Sequence, residues 1–331
     1  MKVKISELRN KLADMAAGLD IPENEANYYV EAVVAHYLDD NFFKGFKGVH
    51  GVDDWLKKLE TSKNKEKILF QSDAAIHLES NGKSPFHIIV QRFDEICQAA
   101  SKKGVFTVAI KGQYMSALFY TVRMFADKGY IAVLASNGGP QGTVPHGGKD
   151  DIFGTNPLAY GIPSSSDPII FDAATSKRAW GLIAEAKKTN SKLPENTYFD
   201  ESGVYTTDPN KAVKIENFGG YKGYAINLLL EILTSALVGG VAGKSQSNAE
   251  QLGTWLYVMD PSVFGSKEAF IEQVDRLKDE ITSTEPRVGF DKVVYPGQRA
   301  NEHSRKLSES GEIEIDDEVW KELCDFAEGK K

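Results

Sequence analysis

Apolar positions recur at helical spacing over residues 5–18 and 23–38, and breakers bound the second run, with Ile21-Pro22 before it and Leu38-Asp39-Asp40-Asn41 after it. A glycine-punctuated loop, Lys44 to Val52, leads into a helix from Asp53 to Leu59. The pattern then turns β-rich at Lys67–Gln71 and Ala75–Glu79, with Ser80-Asn81-Gly82-Lys83 as a turn. Pro85 to Ala100 reads as one amphipathic helix, Val105–Ile110 as a strand, 115–128 as a helix and Tyr130–Ser136 as a strand. At the centre, Gly154-Thr155-Asn156-Pro157 opens a short apolar run to Pro163. A polar loop follows, and Pro168-Ile169-Ile170-Phe171 delivers Asp172-Ala173-Ala174-Thr175-Ser176. Strand, loop and strand, then small residues beside hydroxyls and a carboxylate, suit a polar ligand lying close to the main chain, although a buried hairpin with a polar loop has the same pattern.

Further on, Arg178–Lys188 reads helical and Pro194–Pro209 is polar and turn-rich. Gly219-Gly220-Tyr221-Lys222-Gly223 opens an apolar helix, 224–238, that contains Glu231. A carboxylate there needs a partner if buried, and could equally face solvent. Trp255–Met259 reads as a strand, 266–283 as a charged amphipathic helix, Val293–Arg299 as a strand ending in a turn, and Asp316–Ala327 as a closing helix. Alternating helices and strands without repeats or a long linker predict an α/β or α+β fold with a discontinuous layout.

Length changes this picture little: 331 residues fit two packed units or one large body. A net charge of −8 disfavours a grip on nucleic acid, which needs basic surface. Cys97 and Cys324 are far apart and without metal spacing, so they read as reduced core residues. Met1-Lys2-Val3-Lys4 has no apolar signal core behind it, and the longest apolar run, Tyr224–Val238, is too short and polar to span a membrane. The expectation is a cytoplasmic protein.

No Gly-x-Gly-x-x-Gly follows a strand, which disfavours an ordinary dinucleotide fold. Gly239-Gly240-Val241-Ala242-Gly243-Lys244-Ser245 is one residue short of a P-loop and follows a helix. Zinc and serine-hydrolase motifs are absent, and no metal site is expected. His50, on its glycine loop, can give or take a proton. Lys222 among glycines at a helix start suits an anionic ligand.

Taken in order along almost the whole chain, these motifs resemble the malate/L-lactate dehydrogenase-type family of NAD(P)H-dependent oxidoreductases. That family also holds sulfolactate and ureidoglycolate dehydrogenases, 2,3-diketogulonate reductase and cyclic imine reductases. The matching residues are His50-Gly51-Val52, Gly154–Pro157, Asp172–Ser176, Asp200–Gly203 with Thr207-Asp208-Pro209, Tyr221-Lys222-Gly223, Pro296-Gly297, and Arg305, Gly311 and Ile313 before Val319-Trp320. The resemblance implies a non-Rossmann, L-sulfolactate dehydrogenase-like α/β fold and a homodimer. It implies residues 1–75 plus 265–331 as a helical, substrate-side domain, and 76–264 as a mixed-sheet NAD(P)-binding domain. His50 would protonate a carbonyl oxygen or imine nitrogen as hydride arrives, and Asp200 would assist it. Asp172, Ala173, Ala174, Thr175, Ser176, Tyr221, Lys222 and Gly297 would line NAD or NADP. The implied substrate is a small 2-oxo or 2-hydroxy acid, or alternatively a cyclic imine; a cofactor-binding homologue with little turnover is the remaining alternative. The chain departs from the family pattern at Val49, at Asp54 where an arginine is usual, and at Gln113 or Tyr114 where a second histidine is usual. An acid at 54 near the site would repel a substrate carboxylate.

Overall fold

The computed structural model describes residues 1–39, 52–115, 118–140 and 142–328; His50 and Val49 fall outside them, as do the side chains of Asp53 and Asp54. The elements are β1 (Lys2–Lys4), α1 (Ile5–Gly18), α2 (Glu23–Leu38), α3 (Val52–Thr61), β2 (Lys67–Gln71), β3 (Ala75–Glu79), α4 (Pro85–Gln91), α5 (Phe93–Lys103), β4 (Val105–Lys111), α6 (Leu118–Asp127), β5 (Ile131–Ser136), β6 (Leu158–Ile162) and β7 (Ile169–Ala173). They continue with α7 (Gly181–Thr189), β8 (Tyr198–Phe199), β9 (Tyr205–Thr206), β10 (Lys214–Ile215), α8 (Tyr221–Glu231), β11 (Gly253–Met259), α9 (Lys267–Thr282), α10 (Gln298–Ser310), β12 (Glu312–Glu314) and α11 (Asp317–Ala327).

A seven-stranded mixed sheet in the order β2-β3-β4-β11-β5-β6-β7 is the frame. Only β3 and β4 pair in parallel; the other neighbours are antiparallel. Period-two alternation sends Phe106, Val108, Ile110, Leu256 and Val258 into the main core, where Ile88, Ile96, Leu118, Val122 and Phe125 from α4, α5 and α6 meet them. α6 lies close on β6 because Gly161 has no side chain; a Cβ there would stand 2.4 Å from the Val122 carbonyl oxygen.

A second core joins the two ends of the chain. Leu8, Leu12, Val30, Val34 and Val52 pack with Ile313, Ile315, Trp320 and Leu323, and β1 pairs antiparallel with β12. A third, small cluster of Ile183, Leu193, Tyr198 and Ile215 backs the three-stranded sheet β10-β8-β9. The sequence boundary after residue 75 falls within β3, which pairs with β2. α9 is tied to the β6–β7 loop, where buried Lys278 donates to Ser164 Oγ (2.8 Å), Ser166 Oγ (3.0 Å) and Asp167 O (2.8 Å).

Three expectations need correction. The helix read over 85–100 is two, broken at Arg92, whose guanidinium is held between Glu66 and Glu95. Val293–Tyr295 is not a strand: Ile170 N–H reaches Pro296 O (3.2 Å), Pro296 offers no N–H in return, and the unanticipated α10 starts directly after Gly297. The helix read over 224–238 begins at Tyr221 and passes at Ile232–Ala236 into a π-helical turn packed on β11 and β5. Of the histidines, His36 Nδ1 meets Ala32 O, and His87 is buried.

Leu256→Ala, in the central strand, is expected to cost about 2–5 kcal/mol in denaturant unfolding. Burial pushes the His87 imidazole down to about 3, with Lys83 and Lys58 adding to the effect. The folded state therefore resists a proton that the unfolded chain accepts, and stability falls as pH drops from about 6.5 towards 3. Urea midpoints measured across that window should decline less in His87→Phe than in wild type.

Candidate active site

Asp172 is the penultimate residue of β7, and its Oδ2 accepts from the Phe119 N–H (3.0 Å) in the first turn of α6. Beyond it Ala174–Ser176 form a short rail, bent at Thr175 and held on two sides. Thr175 donates through N and Oγ1 to Thr155 O (2.8 and 2.9 Å) and through Oγ1 to Asn156 O (3.2 Å), which binds the rail to the central turn. On its other side Phe218 N donates to Thr175 O (3.0 Å), and Ser176 bridges to Asn217. That neighbour continues through Gly219 and Gly220, both with positive φ, into Tyr221 and Lys222 at the start of α8. Both side chains are exposed; Lys222 Nζ lies 6.0 Å from the Tyr221 ring centre, and the His146 ring packs edge-on to the same tyrosine at 6.1 Å.

Gly297 stands near the opposite end of the rail. Its φ of +87° is a left-handed conformation, and a Cβ would come within 2.8 Å of Ile170 O, so two constraints select glycine there. It lines a groove of about 350 Å³ with Phe119, Arg123, Asp172 and Asn301, contiguous through Asp39, Pro296 and Gly297 with a second space of about 490 Å³. Arg123 Nη2 donates to Asn301 Oδ1. The structure thus strings Asp172–Ser176, Tyr221-Lys222 and Gly297, read separately from the sequence, along one path.

Beneath the rail is a polar core that the sequence reading only half saw. Glu231 is 2% exposed. Its Oε2 accepts from Asn156 Nδ2 (2.7 Å) and Asn137 Nδ2 (3.2 Å). Its Oε1 accepts from Gly243 N (2.9 Å), Gln246 Nε2 (3.0 Å) and Ser235 Oγ (3.4 Å). Asn156 and Asn217 are joined through Asn227, which also donates to Thr143 Oγ1 (2.9 Å). The question left open for Glu231 is settled: it is buried and partnered. The P-loop-like segment aims its Gly243 amide at this carboxylate, which agrees with rejecting it as a phosphate loop.

Asp200 opens the turn between β8 and β9. Its Oδ1 accepts from Ser202 N (2.9 Å), Ser202 Oγ (2.6 Å) and Val204 N (3.0 Å), and these bonds, the Ser202 hydroxyl foremost, hold its carboxyl below the usual range. Gln113 adopts φ +63°, and Lys58 Nζ lies 5.4 Å from the Tyr114 ring centre. Among the described residues, no group of three or more His, Cys, Asp or Glu could hold a metal, and no helix is long and apolar enough to cross a membrane.

The family model for malate/L-lactate dehydrogenase matches residues 3–324. The chain is 32% identical over 239 residues to a ureidoglycolate dehydrogenase (NAD(+)) of Escherichia coli, covering 70% of this chain and 68% of that one. It is 38% identical over 146 residues to a Δ1-pyrroline-2-carboxylate/Δ1-piperideine-2-carboxylate reductase of Pseudomonas putida, covering 43% and 42%. The fold matches that of the sulfolactate dehydrogenase from Methanocaldococcus jannaschii with a TM-score of 0.86 at 26% identity, covering 99% of this chain and 97% of that one.

Glu231→Ala would strand five donors at the junction of the rail and α8. A loss of about 3–5 kcal/mol in unfolding free energy is expected, with Glu231→Gln milder because it retains one acceptor oxygen.

Proposed function

The chain belongs to the malate/L-lactate dehydrogenase family, and from that premise we propose that it is an NAD(P)H-dependent oxidoreductase acting on a small 2-oxo or 2-hydroxy acid. The observation that carries the reading is the continuous path from the Gly297 groove along Asp172–Ser176 to Tyr221-Lys222. Small side chains at Ala173 and Ala174 expose main chain to a ligand, Lys222 offers a cation, and the groove offers apolar walls, which together fit an elongated dinucleotide with a charged middle. NADH or NADPH would supply the hydride.

The remaining chemistry falls to this chain. Negative charge grows on the carbonyl oxygen as hydride adds, and His50 is the group assigned to protonate it. Lys222 holds an anionic group of the cofactor. Asp200 has committed Oδ1 to its own turn, so any help it gives His50 comes from its other oxygen.

A cyclic-imine substrate is the second reading, favoured by the imine-reductase relative and by Asp54, which replaces a cation with an acid beside the proposed donor loop. A homodimer is proposed as well: Leu228, Leu229, Ile232 and Leu237 form an exposed apolar stripe along α8 and its π-helical turn that a second copy would cover. The absence of a long apolar helix among the described residues and two free cysteines suit the cytoplasm.

Titration with NADH and NADPH, followed by fluorescence, should give saturable binding that Lys222→Ala weakens. A panel of 2-oxo acids and cyclic imines should then find one class oxidising the bound cofactor. His50→Ala should lower that rate by about 10²–10⁴ with cofactor affinity retained. Absence of binding by either cofactor would refute the reading.

A further inference from the structure

The rail is not the only segment that leaves this end of the main sheet. The register sets Lys111 of β4 beside Gly253, Thr254 beside Ser136 of β5, Ala135 beside Leu158, and Leu158 beside Ala173 of β7. β4, β5 and β7 therefore run the same way and deliver their C-terminal ends together. Asp172–Ser176 leave from β7, and Gly112–Met115 leave from β4.

This second segment is held at three backbone amides. Gly112 N donates to Leu252 O (2.8 Å), Gln113 N to Ala249 O (2.6 Å) and Met115 N to Ser136 Oγ (2.9 Å). Between them Gln113 keeps a φ of +63°. That left-handed conformation is costly for a residue with a Cβ, and residues held in it by their surroundings cluster at functional sites. Tyr114, the next residue, is half-buried, and Lys58 Nζ from α3 lies 5.4 Å from its ring centre, within cation–π range. Lys58 is half-buried too, and its charge helps to keep a proton off buried His87. Both Tyr114 and Lys58 have other partners as well.

Tyr114 stands between two parts of the proposed site. On one side is α3, the helix that follows residues 44–51, which carry His50. On the other is Ser136, which takes the Met115 amide and donates its own N–H to Pro157 O (3.3 Å) in the central turn. That turn holds Thr175 of the rail. Five residues beyond Tyr114, the Phe119 amide reaches Asp172.

As hydride adds to a carbonyl carbon, the C=O π pair moves onto oxygen. A donor already in place for that charge lowers the barrier, because nothing has to reorganise during the reaction. A phenol is such a donor, and a cation on its ring face draws electron density from the ring and strengthens the O–H. We propose that Tyr114 is a second catalytic group of this site. Its hydroxyl hydrogen-bonds to the substrate's carbonyl oxygen, or to the ring nitrogen of a cyclic imine, and Lys58 is the positioning residue that holds its ring. NADH or NADPH supplies the hydride that forms the new C–H bond, and the proton comes from His50; the Tyr114 O–H bond stays intact. The proposal rests on the oxidoreductase reading and adds to it the group that meets the developing charge.

The experiment compares full-length wild type with Tyr114→Phe, Lys58→Met and Lys58→Arg. Each is measured for NADH and NADPH binding by fluorescence, for turnover of the 2-oxo acid or cyclic imine found active, and for thermal midpoint. Tyr114→Phe keeps the ring and removes one hydroxyl, so kcat should fall about 10²–10³-fold with cofactor Kd and thermal midpoint unchanged. Lys58→Met should lower kcat about tenfold, and Lys58→Arg, which returns a cation to the ring face, should recover most of that loss. Wild-type kcat in Tyr114→Phe would overturn the proposal and leave the oxidoreductase reading standing. A fall in kcat matched by an equal loss of cofactor affinity would also overturn it, since the tyrosine would then serve binding. Should Tyr114→Phe not fold, the Lys58 variants decide: wild-type kcat in Lys58→Met overturns the proposal. A wild type that binds cofactor and turns over no member of the panel overturns it as well, and no saturable binding by wild type overturns both readings.

Discussion

Glu231 is the point to which the functional end of the molecule is tied. Burying a carboxyl group is costly unless its oxygens are fully hydrogen-bonded. Here the five donors come from four places: the end of β5, the central turn, the π-helical turn after α8 and the loop that follows it. Each donor is correctly placed only if its own segment is, so one side chain fixes α8 against the sheet and the rail against α8. The asparagines extend the same logic: Asn227 passes the constraint from Asn156 to Asn217, and Asn217 hands it to Val144 O at 2.7 Å. Networks of this kind specify one arrangement because any slip leaves several polar groups unpaired at once.

With that anchor in place, the rest of the site follows from close approach. Gly161 admits α6 to the sheet, which brings the Phe119 amide to Asp172. Gly297 lets the turn before α10 lie on Ile170. Lys278 secures the far end of the same hairpin with three bonds to the Ser164–Asp167 loop. The β6–β7 hairpin is thereby held at both ends, and the segment leaving it has a defined direction before any ligand arrives.

Much of the fold was legible in the sequence, because strands β3 and β4 alternate cleanly, β5 and β11 are short β-rich runs, and the helices α1, α2 and α9 carry periodic apolar faces. The family motifs marked Asp172–Ser176, Lys222 and Gly297. Other features were hidden for physical reasons. The break at Arg92 depends on Glu66, 26 positions away, and no local pattern encodes that pull. α10 has a polar surface with a single buried residue, Asn301, so apolar periodicity could not announce it. β1 and β12 are three residues each and exist only because they pair with one another. Glu231 was noticeable as a charge in an apolar run, but its donors Asn137, Asn156 and Gln246 lie 94, 75 and 15 residues from it. Their convergence is a property of the folded chain.

The second core has a consequence in time. Leu8, Leu12, Val30 and Val34 bury themselves against Ile313, Trp320 and Leu323. A ribosome adding roughly 5–20 residues per second makes the first two helices well before their partners. For most of synthesis the apolar faces of α1 and α2 have the sheet's edge of the core but not their terminal partner, whose contacts also carry a high loop-closure cost. The core that holds Leu38 and Val52 is thus completed only after the sheet, and the nascent chain must shelter that surface until then.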